Sequence, residues 1–485
     1  MNKQFGDKAS PSAGPVVQTH AKQQAAVRKR IWLVQVSLFF SLWFCYGLLI
    51  NSRNLEAFNL QQAGVEAMVE RGQFNLDGSS APQLQMRAYY DKGKPFGDVF
   101  LYNGKQYANK QPGQFMAGAV VYLFLHFFGL NYVNNYLLTS ALVTFFTASL
   151  FAAVTGAAVF GIVREFTGRD SLFWPMACAL IYGLGTTALV YSGVALHDPL
   201  ASGFLIIAFY IVLLLGRLQM PKRPAKTAAA AAGVCLGLTV TTSLLPLLMS
   251  FVVGVYLVSL RRRDLILPAL IGSLVGLAPL LFYDAVCFGN PFVPPYVVAG
   301  YSEIKMRFDL PTTVSKIRFY LWQITFYVPI LWVGLWGLAF YPRPLQRERL
   351  VFVGLLIALL IQILNMDAQG GCQYGPRFLL PLIPFACVGL GGVFYLRAKA
   401  IKLLATSAMT LAAAFSIFVS FVGSIFGAMY CETEVYALGP YLRAVSDPGW
   451  KDMPLVAWLL LPFAVSVSLL IYFLRIFQRA ADVKR

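Results

Sequence analysis

The stretch YANKQPGQFMAGAVVYLFLHFFGLNYVNN, residues 107–135, decides how the rest of the chain threads through a membrane. It leaves a polar region by a Lys110-Gln111-Pro112-Gly113 step, turns apolar at Phe115 and stops at Asn131. A spanning helix needs about 20 apolar residues to cross a hydrocarbon core of about 30 Å. The apolar part, 115–131, is short for that and is interrupted by Gly118. Counted as a span, it puts Arg164, Arg169 and the Arg261-Arg262-Arg263 run outside. Counted as a juxtamembrane helix dipping into the outer leaflet, it puts them inside. The clusters Arg217/Lys222/Arg223/Lys226, Arg343/Arg347/Arg349, Arg397/Lys399/Lys402 and Arg475/Arg479 then fall inside as well. Basic clusters belong on the cytoplasmic side, so the second reading is adopted, with both termini cytoplasmic.

The chain around this stretch is built of apolar runs. Of 485 residues, 58% are hydrophobic and 12% charged, and the mean hydropathy is +0.64. A soluble chain has about 45–50% apolar and about 25% charged residues. Runs at 31–50, 115–131, 136–163, 171–193, 198–216, 227–243, 244–260, 265–284, 316–341, 350–366, 378–396, 403–428 and 455–475 predict an all-α polytopic membrane protein with about 12 transmembrane helices. Residues 1–30 are polar and expected to form a disordered basic cytoplasmic tail, leaving 31–485 as the membrane domain. The net charge of +18 sits in short clusters between apolar runs. That pattern marks topology beside anionic lipid and speaks against a nucleic-acid partner. The 7 cysteines show no CxxC or His-rich spacing for a structural metal. Cys287, Cys372 and Cys431 fall in or beside external loops, where one disulfide could form.

This topology gathers the unusual residues outside: a first external loop at 51–135 and a second at 285–315, with shorter pieces at 195–200, 366–378 and 429–454. Loops this long are usually functional or disordered, and charges at the rim of a membrane are costly unless solvated, paired or functional. Glu56, Asp98, Lys110, His197, Asp198 and Arg377 all lie there. Each also has an ordinary reading. Glu66 and Glu70 read as a solvated helix face, Asp98 as a turn residue, and His197-Asp198-Pro199 as a helix start. Lys110 and Arg377 read as interfacial anchors, and Glu303 and Asp309 as loop salt bridges. Taken together they suggest more. Carboxylates suit a general base for an acceptor hydroxyl, and Arg and Lys suit a phosphate leaving group. A lipid–water boundary suits a substrate with a greasy tail.

Four segments carry a family resemblance. YANKQPGQF (107–115) is similar to the Lys-x-Pro step that closes the first external loop of the GT-C fold glycosyltransferases. LHDPLASGF (196–204) resembles their acidic turn between two spans. FGNPFVPPY (288–296) and GGCQYGPRFLLPLIPF (370–385) resemble their Phe-Gly-Asn-Pro and Gly-Pro-Arg elements. Over most of 31–400 the chain looks like the protein O-mannosyltransferase and aminoarabinose transferase group. The resemblance implies transfer of a sugar from a polyprenyl-phosphate donor to a lipid, glycan or protein acceptor. It also implies inversion, and a site on the extracytoplasmic face of a bacterial inner membrane. The family base is usually an Asp just after the first span. Here that stretch reads NSRNLEAFNLQQAG (51–64), so either Glu56 or Asp98 takes the role. Lys110 and Arg377 would hold the donor phosphate. His197, Asp198 and Tyr374 would hold sugar or acceptor groups, with Tyr296, Tyr301 and Glu303 as acceptor candidates. No metal site is assigned, although Asp98 and Asp198 could hold a divalent ion if the fold brings them together. The rival is a transporter or flippase, which predicts ionisable groups at mid-span and interrupted helices in matching halves.

Overall fold

The computed structural model describes residues 15–50, 56–91, 94–168, 172–218, 220–300, 308–366 and 374–426. Helix α1, Pro15–Leu48, contains the first apolar run but begins well ahead of it. The helix formers Ala, Gln, Lys and Arg of AKQQAAVRKR extend it back into a tail expected to be disordered.

The stretch 51–135, expected to form the first external loop, holds helix α2 (Glu56–Glu70), two antiparallel hairpins and helix α3 (Gly113–Phe127). The hairpins pair β1 (Tyr89–Asp91) with β2 (Lys94–Phe96), and β3 (Val99–Tyr102) with β4 (Lys105–Ala108). An all-helical reading lacks them. Helix α3 has 15 residues, about 22 Å at 1.5 Å per residue, too short to span. Its Val120, Leu123, Phe124 and Phe127 are exposed, the expected character of a helix lying against lipid. Asn131 then caps α4 (Tyr132–Thr144) by accepting from the Asn134 N–H. A π-helical turn at Phe145–Ser149 joins α4 to α5 (Leu150–Thr167), and the whole, Tyr132–Thr167, is long and apolar enough to cross a membrane.

Among the described residues, seven helical units are long and apolar enough to cross a membrane: Ile31–Leu48, Tyr132–Thr167, Asp198–Arg217, Lys222–Thr242, Arg263–Phe288, Arg343–Asn365 and Lys399–Ser424. They place the chain in the membrane, but several expected spans come out differently. Run 171–193 forms α6 (Phe173–Leu184) and α7 (Thr187–Ser192), because Gly185 ends one helix and the Thr186 side chain caps the next. Then follow α8 (Asp198–Arg217), α9 (Lys222–Thr242) and the short α10 (Leu247–Ser259). Next come α11 (Ile266–Phe288) and a single turn, α12 (Pro295–Val298). Run 316–341 is a pair, α13 (Leu310–Tyr327) and α14 (Ile330–Gly337), bent by 106° where Pro329 supplies no N–H to continue the ladder. Helix α15 (Gln346–Asn365) spans, α16 (Ile383–Gly389) is short, and α17 (Lys399–Phe426) spans. Run 455–475 lies outside the described residues.

Small residues bring these helices together. Gly233 and Gly237 of α9 face Gly272 and Gly276 of α11, and a Cβ on Gly237 would stand 2.3 Å from the Ser273 carbonyl. Such small-xxx-small faces let helices approach closely where lipid removes the usual hydrophobic driving force.

Candidate functional site

The site starts from a turn. Asn103 and Gly104 both have positive φ, +50° and +76°, the geometry of a type I′ turn that matches the twist of a hairpin. It fixes the register Val99↔Ala108. One step further the Asn109 N–H donates to the Asp98 carbonyl at 2.9 Å, so Asp98 and Lys110 flank the open end of the hairpin. The Lys110 ammonium donates to Asp98 Oδ1 at 2.8 Å. Asp77 pins the far strand, accepting from the Gln106 backbone and side chain at 3.0 and 2.9 Å.

The step back to the membrane follows at once. Gly113 starts α3 against the end of α9, where a Cβ would come within 2.5 Å of Thr242 Oγ1 and 2.9 Å of the Thr241 carbonyl. Only glycine allows that approach. Helix α3 then packs alongside α2, Gly64 against the Phe115 ring and Gly118 against Val65. A polar face of α2 bonds to tyrosines, Asn59 to Tyr136, Gln62 to Tyr132 and Glu70 to Tyr122. Glu66, expected on a solvated face, is buried and paired with Arg71.

The second half of the site comes from two other segments. His197 precedes α8 and Asp198 opens it. The Arg377 Nε donates to Asp198 Oδ2 at 2.9 Å, and His197 Nε2 lies 3.7 Å from Asp198 Oδ1. These side chains are 8%, 2% and 7% exposed for Arg377, Asp198 and His197. Gly375, with φ +57°, and Pro376 turn the chain so that Arg377 faces α8. Tyr191 clamps that turn. Its hydroxyl accepts from the Tyr374 N–H at 2.9 Å and donates to the Tyr374 carbonyl at 3.0 Å.

The two pairs form one electrostatic unit. Burial pushes the Asp98 carboxyl up, but the charge and hydrogen bond of Lys110, then the charge of Arg377, hold it below its ordinary value. For Lys110, burial works against the charge, and Asp98 outweighs it, leaving the ammonium above its ordinary value despite repulsion from Arg377. Burial, helped by Arg377 and Lys110, pushes His197 down to about 4 against the pull of Asp198. The imidazole is therefore neutral at pH 7. Tyr296 from the second loop completes the wall, its ring centroid 5.8 Å from the Lys110 nitrogen. With 28% of its side chain accessible, Asp98 is the open member of the group.

The fold thus brings together Asp98, Lys110, His197, Asp198, Arg377 and Tyr296. Glu56 is the first residue of α2, but its side chain lies outside the described residues, as do Tyr301 and Glu303. Tyr374 sits differently from expectation: it is fully buried, and its hydroxyl donates to the Val419 carbonyl. It supports the Arg377 turn rather than facing an opening. Asp309 caps α13 by accepting from the Thr312 N–H. Cys287 is a free thiol; Cys372 and Cys431 lie outside the described residues. Among the described residues no group of three or more His, Cys, Asp or Glu could hold a metal, and Asp98 and Asp198 each bond a cation. Sequence reasoning passed over Asn109, Gln111 and Gln61. All three are buried, and both terminal atoms of each glutamine lack a hydrogen-bond partner among the described residues.

The overall arrangement is similar to solved structures. ArnT from Cupriavidus metallidurans bound to undecaprenyl phosphate aligns with a TM-score of 0.51 at 13% identity, over 90% of this chain and 75% of that one. Its apo state aligns with the same TM-score and coverage at 14% identity. The archaeal oligosaccharyltransferase AglB from Archaeoglobus fulgidus, in complex with an inhibitory peptide and a dolichol-phosphate, gives 0.49 at 12% identity, over 87% and 59%. No family model and no curated protein matches the chain. The fold is the GT-C fold, and the protein is an integral membrane protein.

Proposed function

We propose that the protein is an integral-membrane glycosyltransferase that takes a sugar from a polyprenyl-phosphate donor and passes it, with inversion, to a hydroxyl or amine of a lipid, glycan or protein. The observation that carries this reading is the joining of two carboxylates and two cations from three separate segments at one rim of the membrane. The likeness to ArnT bound to undecaprenyl phosphate supports the donor class. The extracytoplasmic face of a bacterial inner membrane, with cytoplasmic termini, follows from the basic clusters at the opposite helix ends. The transporter reading gains nothing from the site, whose charges sit at helix ends and in loops.

The chemistry is a single displacement. The acceptor oxygen or nitrogen attacks the anomeric carbon from the face opposite the phosphate. The bond from that carbon to the phosphate oxygen breaks, and the electron pair leaves on the phosphate. Lys110 and Arg377 offset the charge that grows there, and the acceptor proton passes to a carboxylate, Asp98 or Glu56. Asp98 is a weak base while bonded to Lys110. A donor phosphate competes for that ammonium, and the loss of its partner raises the basicity of Asp98. Donor binding and base activation are then linked. His197 and Asp198 flank the same space, with Asp198 positioning Arg377.

Purified protein in lipid nanodiscs tests this with a panel of short-chain polyprenyl-phosphate sugars, following release of free polyprenyl phosphate. Wild type releases it from at least one donor. Loss of the base costs about 10²–10⁴ in rate, so either Asp98→Asn or Glu56→Gln falls by that much and names the base. Absence of release with every donor, with acceptor extract and divalent ion supplied, overturns the reading.

A further inference from the structure

The other end of α8 opens a second cavity, separate from the candidate active site. Asp198 and Arg217 are the first and last residues of this 20-residue helix, about 30 Å apart at 1.5 Å per residue, and so lie at opposite faces of the membrane. Beside Arg217 is a cavity of ≈650 Å³, walled by Phe166, Arg217, Pro344, Arg347, Glu348 and Tyr395. That is the size of a small-ligand site, about 300–1,000 Å³.

Its chemistry is mixed in a particular way. Glu348 is 8% exposed. Its Oε1 accepts from the Tyr256 hydroxyl at 3.2 Å and faces Arg217 Nη2 at 3.9 Å, but Oε2 is buried without a hydrogen-bond partner among the described residues. Arg217 donates from Nη1 to the Glu165 carbonyl and lies over the Phe166 ring at 5.1 Å, while its Nε is also buried without a partner among the described residues. Arg347 is exposed and makes no ion pair among the described residues. A buried carboxylate oxygen without a donor is costly. What satisfies it must bring N–H or O–H groups, preferably cationic, while an anion nearby answers the two guanidinium groups.

These demands select the occupant. At the cytoplasmic end of the helices the cavity meets the headgroup layer, where phosphate is abundant. We propose that it binds the headgroup of an aminophospholipid, with the phosphate on Arg347 and Arg217 and the primary ammonium on the Glu348 carboxylate. The apolar wall of Phe166, Pro344 and Tyr395 covers the start of the lipid's glycerol and chains. A choline headgroup lacks the N–H donors that Glu348 needs, and a glycerol headgroup lacks the positive charge.

Native mass spectrometry of delipidated protein tests this, titrating phosphatidylethanolamine, phosphatidylcholine and phosphatidylglycerol with identical acyl chains, and free phosphoethanolamine in a parallel arm. Phosphatidylethanolamine should be retained about 10-fold or more over the other two, the worth of one charge-assisted hydrogen bond. Glu348→Gln keeps the shape and should erase the preference over phosphatidylcholine. Arg347→Gln, at an exposed position that does not threaten the fold, should weaken all phospholipids. Equal retention of the three lipids by wild type overturns the proposal, as does a preference unmoved by Glu348→Gln or a retention of all three lipids unmoved by Arg347→Gln. Competition by free phosphoethanolamine at lipid-like concentrations assigns the cavity to a soluble amino-phosphate and overturns the lipid assignment.

Discussion

Arg377 and Asp198 stand 179 residues apart in the chain and meet at 2.9 Å with side chains 8% and 2% exposed. Removing one member of such a pair leaves the other charge buried and typically costs about 3–5 kcal/mol, whereas replacing both with apolar groups of similar volume is often neutral. Asp198→Asn should therefore lower thermal stability by an amount of that order. Arg377→Met combined with Asp198→Leu should recover most of the stability and none of the donor turnover. A double variant as unstable as the single one would assign the loss to packing instead. His197 gives a pH test. Its folded value of about 4 lies below the ordinary 6.5, so the neutral form is favoured by folding. The stability this contributes is complete above pH 6.5 and is lost as pH falls toward 4. Asp198, Arg377, Lys110 and Asp98 all bear on this imidazole. Unfolding temperatures across that window should fall in wild type, less so in His197→Gln; parallel profiles would remove His197 as the cause. The charged residues were legible in sequence because charge at a membrane rim is conspicuous whatever its neighbours. Gln61 and Gln111 were not, since a neutral amide becomes notable only once its burial is known.

Among elements, the β3–β4 hairpin and the start of α3 do most to set the site. The hairpin was legible and overlooked: Asn103-Gly104 between FLY and KQYA is a strong turn signal, hidden by the helical reading of the whole chain. Gly113 was legible only as a break. Its reason is the backbone of Thr241 and Thr242 lying against it, a contact across more than 120 residues. Gly113→Ala should push α3 away from α9, lower stability by about 1–3 kcal/mol and raise the donor KM by displacing Lys110. Calorimetry and donor titration would check it, and wild-type values in both would mean that the step tolerates displacement. The expected spans at 171–193, 244–260, 316–341 and 378–396 came out short or bent for a related reason. Apolar length is read from composition, but breaks at Gly185 and Pro329 depend on which groups take over the freed backbone bonds. Thr186 caps α7, and Ser416 accepts from the Ile330 N–H at 3.3 Å.

At the scale of the molecule, α8 connects the candidate site on one face with the arginine-lined cavity on the other. In a cysteine-free background, Lys105→Cys on the hairpin should react with an impermeant maleimide in intact cells. Arg347→Cys should react only after permeabilisation. Labelling of both from one side would refute the threading. The sequence alone determined that the chain lives in a membrane, which of its helix ends are basic, and which loops between apolar runs carry charges of a kind suited to a lipid phosphate. Those properties are local, since hydrocarbon thickness sets run length and desolvation makes each charge expensive where it stands. Only the tertiary structure decided that Asp98 pairs with Lys110 and Asp198 with Arg377, and which apolar runs stay straight. It alone revealed the cavity beside Glu348, because each of these depends on contacts between distant segments, whose geometry no local pattern of residues contains.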